Sequence, residues 1–258
     1  MKNKLRQLLD EKKPILGTFF ELGGANAVEA LGQTGLDYII IDNEHGPFET
    51  ESSLECIRAC EGSGLASLCR IREVSRPGVM KLLDQGADGL IVPYIENMDQ
   101  IHTLIGYGKY APIGHRGFSG SRKDCWGFAE PAGGNSFEYQ MEYWNRETFI
   151  IPQCETLGAL EHIEEITATE GVDGIFVGPF DLSISMGMPG QFHDPVFLAA
   201  LNRILKACKA NGKFSMIFTT HEEWIQEYYD MGFDMVAWSM DAAVMINGFR
   251  NVVGKTKK

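Results

Sequence analysis

The sequence lacks the features of several common protein classes. Its first residues, MKNKLRQLLDEKK, contain no apolar stretch that could act as a secretory signal. No run approaches the roughly 18 consecutive apolar residues of a membrane helix. Lysine and arginine total 23 against 35 aspartates and glutamates, which gives a formal net charge of −12. We therefore predict a cytoplasmic protein that binds neither nucleic acid nor an anionic membrane.

Several cofactor-binding and redox motifs are also absent. The six cysteines are scattered, and no C-x-x-C occurs, so we expect reduced and mostly buried thiols. There is no P-loop, no G-x-G-x-x-G and no HExxH. These absences disfavour phosphate-loop nucleotide binding, dinucleotide binding and zincin-type zinc sites.

What is present is a recurring unit in which a glycine precedes a short apolar run. The glycines are Gly35, Gly64, Gly86, Gly171, Gly212 and Gly232. A glycine just past a helix supplies the left-handed residue that ends it, and short apolar runs are typical of buried parallel strands. Eight such runs occur, at 15–20, 38–42, 66–70, 89–93, 149–153, 174–178, 214–218 and 235–238.

Helical stretches lie between most of these strands, and eight β/α units in 258 residues favour a TIM (β/α)8 barrel over a doubly wound sheet. We predict a single β/α barrel domain over residues 1–258. One long segment, 106–147, is rich in glycine and aromatic residues and shows no clean periodicity. We predict that this segment is irregular, as a lid, a binding segment or an oligomer contact.

Two acids lie just past predicted strands. Glu155 comes after FIIPQ and Asp181 comes after GIFVG. In β/α barrels the C-terminal ends of the strands carry the active site, and two carboxylates facing one space repel each other unless a cation lies between them. Oxygen ligands favour Mg²⁺ or Mn²⁺ over Zn²⁺. We therefore predict a divalent metal site.

Other polar residues sit at the same predicted edge. Asp42 and His45 close the second strand and its turn, and a histidine there suits a general base, although Glu44 is an alternative acid. Arg70 ends the third strand, where it would bind a substrate anion or pair with Glu155 or Asp181; Arg72 is the alternative arginine. No predicted strand end carries a lysine, which disfavours Schiff-base chemistry.

Gln153 and Glu155 share a face of the fifth strand because strand side chains alternate. After the sixth strand, Gly178-Pro179-Phe180-Asp181 reads as a turn that opens a short helix, whose free N–H groups could bind a carboxylate. Asp181 as a simple helix cap is the alternative. A metal, an arginine, a histidine and backbone donors together can hold a 2-oxo acid and stabilise its enolate.

At these positions the sequence resembles the HpcH/HpaI family of metal-dependent pyruvate aldolases. The matching segments are 39–47, Arg70, 81–97, 114–117, 152–156 and 171–187. The resemblance implies a barrel of the phosphoenolpyruvate/pyruvate-binding type. It also implies a divalent cation, Mg²⁺, Mn²⁺ or Co²⁺, and a homo-oligomer that is a hexamer or trimer of dimers with an exchanged last helix.

The resemblance also implies roles for individual residues. Glu155 and Asp181 would hold the metal, His45 would act as acid and base beside Asp42, and Arg70 would stabilise the enolate. The substrate would be held by Gln153, Gly178, Pro179 and Phe180. Asp84 would tune His45, yet it ends a helix that points to the other end of the barrel. A neighbouring subunit would supply it, or its role is indirect.

The implied activity is reversible cleavage of a 4-hydroxy-2-oxo acid to pyruvate and an aldehyde through a metal-chelated enolate. An oxaloacetate decarboxylase or a citrate-lyase-like ester lyase would use the same enolate, and a non-catalytic barrel is a third hypothesis. Phe180 stands where relatives often have a small residue, and segment 118–147 matches poorly. The resemblance therefore describes the pyruvate half of the site better than the aldehyde half.

Overall fold

The computed structural model describes residues 3–131 and 133–257. Its centre is a closed barrel of eight parallel strands in which each strand pairs with its sequence neighbours and β1 pairs with β8. The strands are β1 Ile15–Phe20, β2 Tyr38–Asp42, β3 Ala66–Arg70, β4 Gly89–Val92, β5 Phe149–Cys154, β6 Gly174–Val177, β7 Phe214–Thr219 and β8 Met235–Met240. The predicted (β/α)8 barrel is confirmed.

Helices connect the strands and surround the barrel. They are α1 Lys4–Asp10, α2 Ala25–Leu31, α3 Thr50–Ser63, α4 Arg76–Gln85, α5 Met98–Gly108, α6 Phe137–Glu147, α7 Leu157–Glu161, α8 Ile163–Ala168, α9 Pro179–Ser185, α10 Pro195–Ala210, α11 Trp224–Met231 and α12 Asp241–Thr256. A 3-10 helix spans Arg122–Gly127. All six glycines of the recurring unit have positive φ, as expected for residues that turn the chain from a helix or turn into the next strand.

Side chains alternate between the two faces of each strand and form two apolar cores. One core fills the barrel and includes Ile40, Leu68, Ile151 and Met216, with Leu5 of α1 closing the N-terminal end. The other lies between the strands and the outer helices. Because the inward positions continue to Asp42, Arg70 and Gln153 at the strand ends, polar groups cover the barrel core at its C-terminal mouth.

The segment 106–147 differs from the prediction that it is irregular throughout. Helix α5 continues to Gly108, and α6 occupies Phe137–Glu147, with Ser136 as its N-cap. Helix α6 was missed by the sequence reasoning because its buried face is not purely apolar. Polar Gln140 and Asn145 are buried beside Trp144, whereas Phe137 is exposed, so the buried face does not follow the apolar pattern expected of a helix that packs on a core.

The last helix, α12, has no buried residue although it carries many apolar side chains. Val244, Met245, Ile246, Phe249, Val252 and Val253 are all exposed. At its start, the Asp241 carboxylate accepts hydrogen bonds from the backbone N–H groups of Glu21 and Leu22 at 2.9 and 3.0 Å. Helix α12 is therefore anchored at the barrel mouth while its apolar residues face solvent.

Two further expectations concern the chain as a whole. Within 3–131 and 133–257, no helix is long and apolar enough to cross a membrane. All six cysteines are free, and five of them are buried, as predicted. Burial raises the pKa of the Cys56 thiol to about 11, so this side chain behaves as a small apolar group.

Candidate active site

A cavity of about 190 Å³ opens at the C-terminal mouth of the barrel. Both polar groups and aromatic rings line it. The lining residues are Phe19, Glu21, His45, Arg70, Gln153, Phe176, Gly178, Pro179, Phe180, Asp181, Phe218 and Met240. They follow or end β1, β2, β3, β5, β6, β7 and β8, as the location of active sites in such barrels predicts.

Arg70 is fixed by two acids from the neighbouring strand. Its Nε and Nη2 donate to Asp42 Oδ1 and Oδ2 at 2.8 and 2.7 Å, and its Nη1 lies 3.1 Å from Glu44 Oε2. Asp42 is fully buried, and the two residues are direct partners in the β2–β3 register. The predicted pairing of Arg70 with Glu155 or Asp181 is wrong, because Asp42 is closer in the sheet.

The guanidinium of Arg70 also lies 4.7 Å from the ring centre of Phe19. Burial lowers the pKa of Arg70, but the hydrogen bonds and charge of Asp42, together with the charges of Glu44 and Glu155, raise it above its ordinary value. The cation is therefore held at a fixed position over the barrel core. Arg72, the alternative arginine, donates instead to the carbonyl of Asn43 and to Glu49, outside the cavity.

His45 lies on the turn after β2, with its side chain 72% exposed at the cavity. Its backbone N–H is 3.4 Å from Asp42 Oδ1, and its Nε2 is 4.0 Å from Glu44 Oε2. The turn is tight at Gly46, where an added Cβ would lie 2.2 Å from the Asp42 carbonyl oxygen. Glycine there lets the chain bring His45 back beside Asp42.

Glu155 is buried behind the cavity lining. Its Oε1 accepts the backbone N–H of Tyr94 at 2.7 Å, and its Oε2 accepts the side-chain amide of Gln153. Burial raises the pKa of Glu155 to about 7; the Tyr94 hydrogen bond opposes this, while the charges of Glu44 and Asp181 add to it. This carboxylate is thus desolvated among other acids.

Asp181 lies in the first turn of α9 and is exposed. The N-cap of α9 is Gly178, so Asp181 does not cap the helix, and it makes no hydrogen bond or ion pair within 3–131 and 133–257. A Cβ on Gly178 would lie 2.7 Å from the Gln153 amide nitrogen and 2.9 Å from Glu155 Oε2. Only glycine lets the start of α9 approach these two side chains so closely.

The sequence profile of the HpcH/HpaI aldolase/citrate lyase family matches residues 16–248. The chain belongs to the HpcH/HpaI family. The predicted family and the predicted enzyme class, a lyase of the aldolase type, are thereby confirmed.

Relatives of this family align with the chain over nearly its whole length. A hydroxypyruvate/pyruvate aldolase of Roseobacter denitrificans is 29% identical, covering 99% of this chain and 98% of its own. A 5-keto-4-deoxy-D-glucarate aldolase of an Enterobacter species is also 29% identical, covering 99% and 97%. The crystal structure of an HpcH/HpaI aldolase from Desulfitobacterium hafniense DCB-2 superposes with a TM-score of 0.91, at 28% identity over 100% and 98% of the two chains.

Aldolases of the HpcH/HpaI family generally depend on a divalent metal, and the residues present here fit one. Glu155 and Asp181 are both oxygen donors, and each oxygen of Glu155 accepts a single hydrogen bond, which leaves lone pairs free. Among the residues that the structure describes, no group of three or more His, Cys, Asp or Glu side chains could hold an ion. Water and substrate would have to complete the coordination, as is common for Mg²⁺.

Asp84, unlike the other predicted site residues, neither lines the cavity nor bonds to a residue that lines it. It accepts a hydrogen bond from Arg116 Nη2 at 2.5 Å, and the Arg116 guanidinium lies 4.8 Å from the ring centre of Tyr110. Asp84 does not line the cavity that contains His45. A role for Asp84 toward the histidine of a neighbouring subunit stays a prediction.

Two residues of the site were missed by the sequence reasoning. Glu21 follows β1 directly and lines the cavity, so the rule used for the other strand ends would have found it. Tyr94 contributes its backbone N–H to Glu155 from a positive φ of 54°. No sequence signal predicts that a non-glycine residue adopts this conformation.

Proposed function

We propose that this chain is a divalent-metal-dependent aldolase that cleaves a 4-hydroxy-2-oxo acid to pyruvate and an aldehyde. One observation carries the proposal. A single cavity holds the fixed guanidinium of Arg70, the exposed imidazole of His45 and the amide of Gln153 beside Asp181, with Glu155 directly behind. This is the set of groups that enolate chemistry requires.

The pyruvate half of the substrate would be held by groups from β3, β5 and α9. The first N–H groups of a helix have no partner within the helix, so those of Phe180 and Asp181 are suited to bind the substrate carboxylate. Gln153 would orient the 2-oxo group, and Arg70 would stabilise negative charge on its oxygen. Because Asp42 fixes Arg70 in advance, little reorganisation is needed when that charge develops.

Glu155 and Asp181 would hold the divalent cation, for which we propose Mg²⁺ or Mn²⁺, with Co²⁺ as a further option. When bound, the cation would polarise the 2-oxo group and help stabilise the enolate. It would also relieve the repulsion between Glu155 and its acidic neighbours, Glu44 and Asp181, which contributes to the raised pKa of Glu155.

Cleavage breaks the bond between C3 and C4 of the substrate. The electron pair stays on the pyruvate fragment as the enolate, and the C4 hydroxyl loses its proton as the aldehyde carbonyl forms. His45 is the group that we assign to this proton transfer, since its imidazole faces the cavity and histidine is the commonest general acid and base in enzymes. Return of a proton to C3 gives pyruvate.

We also propose that the chain works as a homo-oligomer, a hexamer or trimer of dimers. The exposed apolar residues of α12 support this, since such a surface is usually covered in an assembly. The cytoplasmic location stays a prediction.

Deuterium exchange into pyruvate tests the proposal. The protein is incubated with pyruvate in D₂O, with and without Mg²⁺ or Mn²⁺, and the methyl signal is followed by NMR. We expect metal-dependent loss of this signal in the wild type and none in Glu155→Gln, while Glu96→Gln, an exposed carboxylate on the loop after β4, behaves as the wild type. No exchange with any metal would refute the proposal. Oxaloacetate decarboxylation would share the exchange but release CO₂ instead of an aldehyde.

A further inference from the structure

Part of the cavity lining is built from aromatic rings, one of which, Phe19, also contacts Arg70. Phe180 lines the cavity with its side chain 41% exposed. Its ring packs against Phe192 with centres 5.0 Å apart and against Phe218 at 5.9 Å. Phe218 in turn packs edge-on against Phe19 at 5.3 Å. We call Phe19, Phe180 and Phe218 the aromatic wall.

The aromatic wall is held from behind. Phe192 also contacts Phe197 and Trp224, each at 5.9 Å between ring centres, and Phe197 is fully buried. Phe192 lies between α9 and α10 and is supported by α10 and α11 through these contacts. The position of Phe180 is therefore set by packing, and its exposed face is already in place before a ligand binds. A preformed aromatic surface favours a flat or branched apolar group.

The charges around the cavity point the same way. Arg70 is the single lysine or arginine among the described lining residues, and Asp42 and Glu44 already pair with it. The other charged groups there, Glu21 and Asp181, are acidic. A second carboxylate on the substrate would meet no free cation, and burying it unpaired is costly.

We propose that the aldehyde half of this site selects uncharged aldehydes with a compact aromatic or branched apolar group, and that Phe180 determines this preference. The inference rests on the proposed aldolase function, because pyruvate and the cation define which half of the cavity remains for the aldehyde. The ring of Phe180 contacts the substituent of the aldehyde, whereas aldehydes that carry a carboxylate lack a partner.

The test compares two acceptors of the same shape and different charge. Benzaldehyde and 4-carboxybenzaldehyde are each offered with pyruvate and Mn²⁺, and initial rates of aldol formation are followed by NMR. We expect the wild type to prefer benzaldehyde at least 10-fold in kcat/KM. Phe180→Ala should raise KM for benzaldehyde about 30-fold and reduce the preference for benzaldehyde over 4-carboxybenzaldehyde, a loss in line with removing apolar contacts from a pocket.

Two further variants serve as controls. Phe180→Leu keeps apolar volume and should retain most of the preference, and Phe128→Ala, 89% exposed in the segment before α6, should behave as the wild type. A wild type that prefers 4-carboxybenzaldehyde, or a Phe180→Ala variant that keeps the full preference for benzaldehyde, would overturn the inference.

A binding measurement separates failure of this inference from failure of the aldolase proposal. Saturation-transfer NMR with benzyl alcohol and 4-(hydroxymethyl)benzoate reports on the cavity without any reaction. If pyruvate exchange is absent, the aldolase proposal fails. Even then, if benzyl alcohol binds more strongly than 4-(hydroxymethyl)benzoate and this difference is lost in Phe180→Ala, the aromatic wall is supported as an apolar subsite. Equal binding of the two alcohols to the wild type would overturn the inference in either case.

Discussion

The ion pair between Asp42 and Arg70 is expected to position the guanidinium for catalysis as well as to stabilise the fold. Asp42→Asn keeps the shape of the side chain but replaces one acceptor oxygen by an NH₂ group. One of the two hydrogen bonds to Arg70, at 2.8 and 2.7 Å, is then replaced by a contact between two donors. Because both groups are buried, water cannot replace the lost hydrogen bond or the lost negative charge beside the Arg70 cation.

The magnitude follows from these contacts. Removing one partner of a buried ion pair costs about 3–5 kcal/mol, but the remaining amide oxygen of the substituted side chain keeps one hydrogen bond, and Glu44 stays 3.1 Å from Arg70. We therefore expect a loss of about 2 kcal/mol in the free energy of unfolding. Loss of a well-placed oxyanion donor lowers kcat by about 10²–10³-fold. Because Arg70 keeps one of its two hydrogen bonds to residue 42, we expect kcat to fall by about 100-fold, at the lower end of this range.

Asp173→Asn is the matched control. Asp173 precedes β6 at the opposite end of the barrel, and its Oδ2 accepts a hydrogen bond from the buried Lys109 ammonium at 2.8 Å. Both variants are compared by urea denaturation and by the rate of pyruvate release from a 4-hydroxy-2-oxo acid. The control should lose similar stability and keep kcat within twofold. If Asp42→Asn keeps its kcat, or if the two variants lose kcat equally, the positioning role of Asp42 is refuted.

Three other predictions concern the turn after β2, the base of the barrel and the last helix. Gly46→Ala places a Cβ 2.2 Å from the Asp42 carbonyl oxygen and should reduce both stability and kcat. Gly62→Ala in α3, where an added Cβ has nothing within 4 Å, should stabilise the protein by about 0.5–1 kcal/mol. A higher denaturation midpoint for Gly46→Ala than for Gly62→Ala would contradict the turn geometry. Burial raises the pKa of Asp88 from 3.8 to about 6, so the stability associated with its neutral form is lost as pH rises from about 4 to 7. The free energy of unfolding of Asp88→Asn, measured relative to that of the wild type, should therefore rise by about 2 kcal/mol from pH 4 to pH 8. A difference between the two proteins that does not change with pH would rule this out. Phe249→Asp on α12 should shift the mass measured by light scattering toward the monomer, while Asn251→Asp on the same helix should not; an unchanged mass for Phe249→Asp would show that this surface is not part of the assembly.

The strands and the barrel were predictable because each β/α unit repeats the same local signals. A glycine with positive φ and a short apolar run mark nearly every strand, and eight repeats leave little choice of architecture. The side-chain alternation then places Gln153 and Glu155 together. Register was not predictable from local signals, and it is the register that pairs Arg70 with Asp42 instead of with Glu155.

Other features depend on contacts that leave no local trace. Helix α6 buries Gln140 and Asn145 beside Trp144 and exposes Phe137, so its buried face cannot be read from the apolar pattern alone. The positive φ of Tyr94 exists because the surrounding structure fixes it. Asp84 pairs with Arg116 within the chain, and whether it reaches a second active site is set by assembly, which local sequence does not encode.

The proposed enolate chemistry requires that Glu155 and Asp181 share one divalent cation beside Arg70. Calorimetric titration with Mn²⁺ tests this most directly, using the wild type, Glu155→Gln, Asp181→Asn and the exposed-site control Glu96→Gln. We predict one Mn²⁺ per chain in the wild type and the control, and at least about 100-fold weaker binding in each of the other two variants. Binding of Mn²⁺ with unchanged affinity by either Glu155→Gln or Asp181→Asn would contradict the account.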